Sequence, residues 1–217
     1  MKAGLALLAA LAVAACGSGP VVPDWQAGAH QALAGYTRAY LAGRDRVAGQ
    51  ELALARREVA RTGNATAMAA VELKVCALRL ASLAGGDCPA FAPLAADADG
   101  ASRAYAAYLA GHWPAAEASL LPAPQAEVVR GKLGPENLAA VGDPLARLVA
   151  AAALLGAGRL SPAGIAMAVE TAAEQGWARP LAAWLAFDRE RLRAAGDADG
   201  AAARQRRIDR VLGTPGR

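Results

Sequence analysis

Asn64-Ala-Thr-Ala-Met68-Ala-Ala-Val71-Glu-Leu73-Lys-Val75-Cys76-Ala-Leu78-Arg-Leu80-Ala-Ser-Leu83 is the stretch that decides the fold. Plotted at 3.6 residues per turn, Met68, Val71, Leu73, Val75, Cys76, Leu78, Leu80 and Leu83 go nearly all the way round. A helix apolar on every side is one that other helices enclose. Asn64 supplies a side-chain cap for its first turn. Gly85-Gly86-Asp87-Cys88-Pro89 turns the chain after it. The segment therefore predicts a central helix in the N-terminal half, covered on both sides.

The neighbours that could cover it are also helical. Nominally hydrophobic residues make up 55% of the 217, yet aromatics are only 5%. Alanine supplies the difference, and it is the best intrinsic helix former. Ile and Tyr are scarce, and no window alternates apolar and polar. The fold class expected is all-α. A run from Trp25 to about Ala42, with Asp24 in the capping position, and a second from Val47 to Arg61 precede the central stretch. Arg56, Arg57, Glu58 and Arg61 fall on what should be the wet side of that second run. After Phe91 to Gly100, read as loop or one ragged turn, come a short helix at Ser102 to Ala110 and another starting at His112-Trp113-Pro114. The region from Pro122 to Gly142 is broken by Pro124, Gly131, Gly134 and Pro135. Asp143-Pro144 and Ser161-Pro162 each pair a capping side chain with proline at the first helical position. The helix between them shows a stripe of Leu145, Leu148, Val149, Ala152 and Leu155. Helices at Ala163 to Gln175, Arg179 to Ala195 and Ala201 to Leu212 complete the chain.

The first residues have a different character. Lys2 precedes an apolar run from Ala3 to Ala15, too short to span a membrane, which takes about 20 residues, and suited to a cleaved export signal. Val13-Ala14-Ala15-Cys16 resembles the lipobox of bacterial lipoproteins. That resemblance implies acylation of Cys16, which then anchors the chain to a membrane. Gly17 follows, instead of the aspartate that retains enteric-type lipoproteins in the inner membrane, so the periplasmic face of the outer membrane is the implied address. The organisation expected is a signal peptide at 1–15, a tether at 16–23, N-terminal helical hairpins at 24–121, an irregular connection at 122–142 and C-terminal hairpins at 143–217.

A repeat runs through the helical part. Ala39-Tyr40-Leu41-Ala42-Gly43 returns as Ala107-Tyr108-Leu109-Ala110-Gly111, 68 positions later, twice the ~34 of a tetratricopeptide unit. Looser copies of the same helix end occur at Gly85, Gly158 and Gly196. Each of the five glycines has an alanine five positions on: Ala48, Ala90, Ala116, Ala163 and Ala201. The pattern resembles the turn of tetratricopeptide repeats, in which that alanine sits at the close crossing of paired helices. Leu192 to Ala201 is the best copy, whereas the first-helix Trp-Leu-Gly-Tyr pattern is absent. Tetratricopeptide-like hairpins and an ordinary irregular helical bundle both remain open.

Residues for chemistry are few. His30 and His112 have no partner at metal or triad spacing, and a zinc site takes three or four ligands. No phosphate-binding loop or nucleophile elbow is present, so no cofactor, metal or catalytic residue is expected. Asp97-Ala-Asp99-Gly100 and Asp197-Ala-Asp199-Gly200 lack the third acid and distant Glu of a calcium loop and read as helix caps. The net charge of +4 is too mild and too dispersed for a nucleic-acid partner. Arg204, Arg206, Arg207 and Arg210 read as a solvated face, with anionic headgroups as the sharper alternative. Among the aromatics, Tyr40, Tyr108 and Trp113 are the candidates for contact with a partner. The function expected is a lipid-anchored scaffold that binds an envelope peptide or protein. An envelope enzyme acting on cell-wall polymers through carboxylates such as Glu117, Glu127 or Glu170 is the alternative.

With Cys16 acylated, Cys76 and Cys88 are the remaining thiols, and an exported protein meets oxidising conditions. From Cys76 the helix runs on about 12 Å to its end. The four residues from Ala84 to Cys88 reach back about 13 Å when extended. A taut disulfide that hides Phe91 is expected.

Overall fold

The computed structural model describes residues 22–113 and 115–213. Residues 1–15, expected to be a signal segment, and Cys16, expected to be acylated, lie outside them. Every regular element among the described residues is helical. Nine α-helices follow in order: α1 Asp24–Leu41, α2 Asp45–Ala60, α3 Ala65–Ala81, α4 Gly100–Leu109, α5 Ala123–Val129, α6 Pro144–Gly156, α7 Pro162–Glu174, α8 Ala178–Ala194 and α9 Ala198–Leu212. Short 3-10 turns occupy Ala92–Leu94, Ala115–Leu120 and Pro135–Ala140.

Local chemistry sets most of the starts. Asn64, Asp143 and Ser161 accept from the backbone N–H three residues on, as their positions predict. The two acidic loops also end as caps: Asp99 accepts from Ser102 N at 2.7 Å and Asp197 from Gly200 N at 2.8 Å. Asp24 differs from expectation. It is the first helical residue and makes no capping bond, because Pro23 holds the preceding position.

α1 and α2 form a hairpin, as do α8 and α9, each turned through a left-handed glycine, Gly43 at φ 76° and Gly196 at φ 78°. Ala48 and Ala201, five positions beyond, are both 3% exposed. There a bare methyl lets the paired helices approach. The equivalent alanines at 90, 116 and 163 are exposed, because the chain beyond Gly85, Gly111 and Gly158 does not fold into such a crossing.

α3 packs against α1, α2, α4 and α6, so its all-round apolarity is used. One feature departs from the sequence reading. Glu72 is buried at 4% exposure and takes two hydrogen bonds of 2.7 Å from Arg56 of α2. Arg56 therefore leaves the wet side to which its neighbours Arg57 and Arg61 keep.

The helix enclosed most completely is α6. Seven consecutive residues, Leu148 to Leu154, are buried. Its leucine stripe predicts one covered face, but the alanines between are covered too, by α3, α5 and α7. The stretch 122–142 is part of this packing. It carries α5 and places Val128, Leu133, Leu138 and Val141 in the same core cluster as α3 and α6. Arg147 of α6 holds its end by donating to Val141 O at 2.8 Å and to Thr171 Oγ1 at 3.2 Å.

The ring closes through α8. Trp184, fully buried, donates from Nε1 to Ala81 O at 3.0 Å, satisfying a carbonyl left open at the end of α3. Arg179 donates to Tyr40 O at 2.7 Å, lies over the Tyr40 ring at 4.4 Å and pairs with Asp45. The first and last hairpins thus meet. Cys76 and Cys88 are joined in a disulfide with their Cα atoms 5.6 Å apart, and Phe91 is buried behind it. Gly86 makes the return possible, since a Cβ there would lie 2.1 Å from Leu109 O.

Candidate ligand groove

One side of α3 is left uncovered, and the candidate site lies there. Ala70, Leu73, Lys74 and Ala77 recur at helical spacing and form a single stripe. The first turns of α4 and α6 stand opposite, with Ala101, Ser102 and Tyr105 from one and Leu145, Ala146 and Val149 from the other. Leu120, Leu121 and Pro122 close the third side. Together they line an open groove of about 650 Å³.

A second cavity of about 520 Å³ adjoins it between α1 and α3. His30, Leu33, Ala34, Thr37 and Arg38 line it, along with Ala70 and Lys74. The last two residues border both cavities, so the two make one extended surface with Lys74 at the junction.

The polar groups of this surface are unequal. Asp99 and Asp143 border the larger groove, but each is engaged with the backbone at the start of its helix. Lys74 is half-buried and has no acid partner among the described residues. Burial pushes its ammonium below the ordinary lysine value, with the charge of Asp143 acting the other way. Burial likewise pushes the Tyr105 hydroxyl up to about 12, assisted by Asp143. Gln125 is buried beside the groove, and its Oε1 has no hydrogen-bond partner among the described residues.

The three aromatics singled out from sequence do not assemble into one site. Tyr108 is 1% exposed and is spent on the core. Its ring stacks on Tyr105 at 6.3 Å and on Trp113 at 5.6 Å. Trp113 is half-buried and donates from Nε1 to Tyr108 O at 3.0 Å. Tyr108 and Trp113 border a recess of about 230 Å³ at the far ends of α4 and α6. Tyr40 lies elsewhere, half-buried under Arg179. Of the sequence aromatics, Tyr105 is the one that reaches the groove.

The carboxylates considered for hydrolysis stay apart. Glu127 pairs with Arg130 and Glu170 with Arg207, both at the surface, while Glu117 is exposed. None of the three lines the groove. Comparison with family models, with curated proteins and with solved structures finds no match to this chain. Among the described residues no group of three His, Cys, Asp or Glu side chains could hold a metal ion, and no helix is long and apolar enough to cross a membrane.

Lys74 and Arg38 are the residues that sequence reasoning passed over. A signal for the first existed. The chain uses lysine only at positions 2, 74 and 132, and Lys74 stands between Leu73 and Val75 in the mainly apolar α3.

Proposed function

We propose that this chain is a lipid-anchored protein of the cell envelope whose groove holds a peptide or protein segment. The observation that carries the binding half is the extended surface along α3, two adjoining cavities walled mainly by Ala, Leu and Val and sharing Ala70 and Lys74. Apolar walls with a few placed polar groups are how sites of this size take ligands. Helical faces leaving an unfilled groove suit a partner's side chains. The anchoring half rests on Val13-Ala14-Ala15-Cys16, and the disulfide accords with an oxidising compartment. The tetratricopeptide-like reading is supported locally, by the buried Ala48 and Ala201 in their hairpins.

Two experiments test the two halves. Replacing Cys16 with Ala and fractionating cells should move the protein out of the membrane fraction; unchanged association overturns the anchor. A photo-crosslinking residue placed at Ala101, exposed on the groove's rim, should give adducts in intact cells that the same residue at Arg57, exposed on α2, does not. Equal adducts from both sites argue against the groove.

A further inference from the structure

Part of the positive charge of this fold is paired. Nine arginines lie within ion-pair distance of an acid. Lys74 and Arg38 belong to the remainder, and among the described residues no carboxylate approaches either of them that closely. Both line the cavity between α1 and α3, whose lining contains no acid. Across the junction, the acids that border the larger groove are held by backbone N–H groups at 2.7 and 2.6 Å. The smaller cavity thus carries two cations with no acid in its own lining, while the larger groove combines apolar walls with two backbone-held carboxylates.

We infer that the occupant is an acidic amphipathic segment of a partner protein, with apolar side chains along Leu73, Ala77 and Val149 and an Asp or Glu at Lys74 and Arg38. The inference rests on the reading of the groove as a peptide site and adds its charge requirement. A half-buried ammonium has lost part of its hydration, and a carboxylate brought to it restores that interaction as a charge-assisted hydrogen bond. Arg38 offers a planar fork matched to the same group. The walls favour a peptide over an acyl chain. Ala70, Leu73, Lys74 and Ala77 on α3 form the kind of ridge into which apolar side chains three and four positions apart interdigitate. The two open wells meet at a charged residue and do not form one continuous apolar channel.

The test uses the full-length protein, purified in detergent and immobilised. Three degenerate pools of helical peptides about four turns long are passed over it. Apolar positions draw on Ala, Val and Leu at i, i+3, i+4 and i+7, and a central residue is Glu, Gln or Lys. The Glu pool should be retained about tenfold more than the Lys pool, the size of one charge-assisted contact, and salt should narrow the difference. Lys74→Met and Arg38→Met should erase the preference, whereas Lys74→Arg should keep it. Equal retention of the three pools overturns the charge requirement and leaves the peptide groove standing. Retention of none of the pools overturns both. Capture of phosphatidylglycerol vesicles in detergent-free buffer that is lost in Lys74→Met and Arg38→Met and that the Glu pool fails to displace also overturns the inference, in favour of a lipid surface, since capture through acylated Cys16 would survive those substitutions.

Discussion

Arg56 and Glu72 meet at two points, Nε to Oε1 and Nη2 to Oε2, each at 2.7 Å. The carboxylate sits inside the α2–α3 contact, while the guanidinium keeps 43% of its side chain in water. The pair fixes α2 on the central helix, and its two members are not equivalent. Removing the arginine strands a buried charge, whereas removing both leaves an apolar contact. Arg56→Met should therefore cost about 2–3 kcal/mol, towards the low end for a buried pair because one partner is half in water. Adding Glu72→Leu to it should recover most of that loss. Urea melts of the single and double variants check this, and a double variant no more stable than Arg56→Met would contradict it.

The Cys76–Cys88 bridge closes a loop over a sequence separation of 12. A loop of that length is worth about 3 kcal/mol through the unfolded chain. Reduction should lower the thermal midpoint by roughly 6–12 °C, taking about 2–4 °C per kcal/mol for a chain of this size. It should also expose Phe91, which the closed segment covers. Melts with and without reductant, on wild type and on Cys88→Ser, measure the effect. A reductant response retained in Cys88→Ser would show that another group is responsible.

Tyr108 and Tyr40 occupy matching places in the repeated pentapeptide but not in the fold. Tyr108 fills the core between Tyr105 and Trp113, so Tyr108→Ala should cost about 3–5 kcal/mol. Tyr40 is half-buried beneath Arg179, and Tyr40→Ala should cost about 1–2 kcal/mol, part of it the cation–π contact. Equal losses in denaturant melts would mean that the ends of α1 and α4 are packed alike.

What was legible in the sequence was what a few neighbouring residues decide. Asn64, Asp143 and Ser161 cap because a short acceptor followed by helix formers has little else to do. Gly43 with Ala48, and Gly196 with Ala201, mark real hairpins because turn and crossing lie five positions apart. The burial of α6 was hidden, since alanine reads the same on a covered face as on an open one. Arg56 and Arg204 read as solvated residues from sequence alone. Each has its carboxylate 16 positions away on a neighbouring helix, Glu72 for one and Asp188 for the other, beyond the reach of helical spacing. The groove needs faces of α1, α3, α4 and α6 together, and only the packed fold brings them side by side.

Lys74 should cost stability when no ligand is present. Its folded value lies below the ordinary 10.5, so between the two values the unfolded chain holds the proton more tightly. Stability from this group then rises with pH up to 10.5 and is lowest at neutral pH. Lys74→Met should raise the thermal midpoint near neutral pH, and the gain should shrink as the pH approaches 10.5. A midpoint lowered at all pH values would show that the ammonium has a partner within the fold.

Alkali should unfold the protein through its tyrosines. Burial raises the Tyr36 and Tyr105 hydroxyls to about 12 and moves Tyr108 in the same direction. A raised acid holds its proton in the fold after the unfolded chain has released it. Its stabilisation is complete below the unfolded value of 10.0 and is lost as the pH climbs towards 12. Lys74 works in the opposite sense only up to 10.5, so the tyrosines dominate above that. Tyr105 is the informative one, because it borders the groove and its hydroxyl makes no hydrogen bond among the described residues. Tyr105→Phe removes one titrating group with little change in packing, and should move the alkaline unfolding midpoint upward while leaving the neutral melt nearly unchanged. Circular dichroism and tyrosinate absorbance followed together from pH 10 to pH 12 measure both halves of the claim. In wild type the two signals should change in one step, with ionisation of the buried tyrosines arriving with unfolding. Tyrosinate signal complete before the helical signal moves would mean that these hydroxyls ionise in the intact fold.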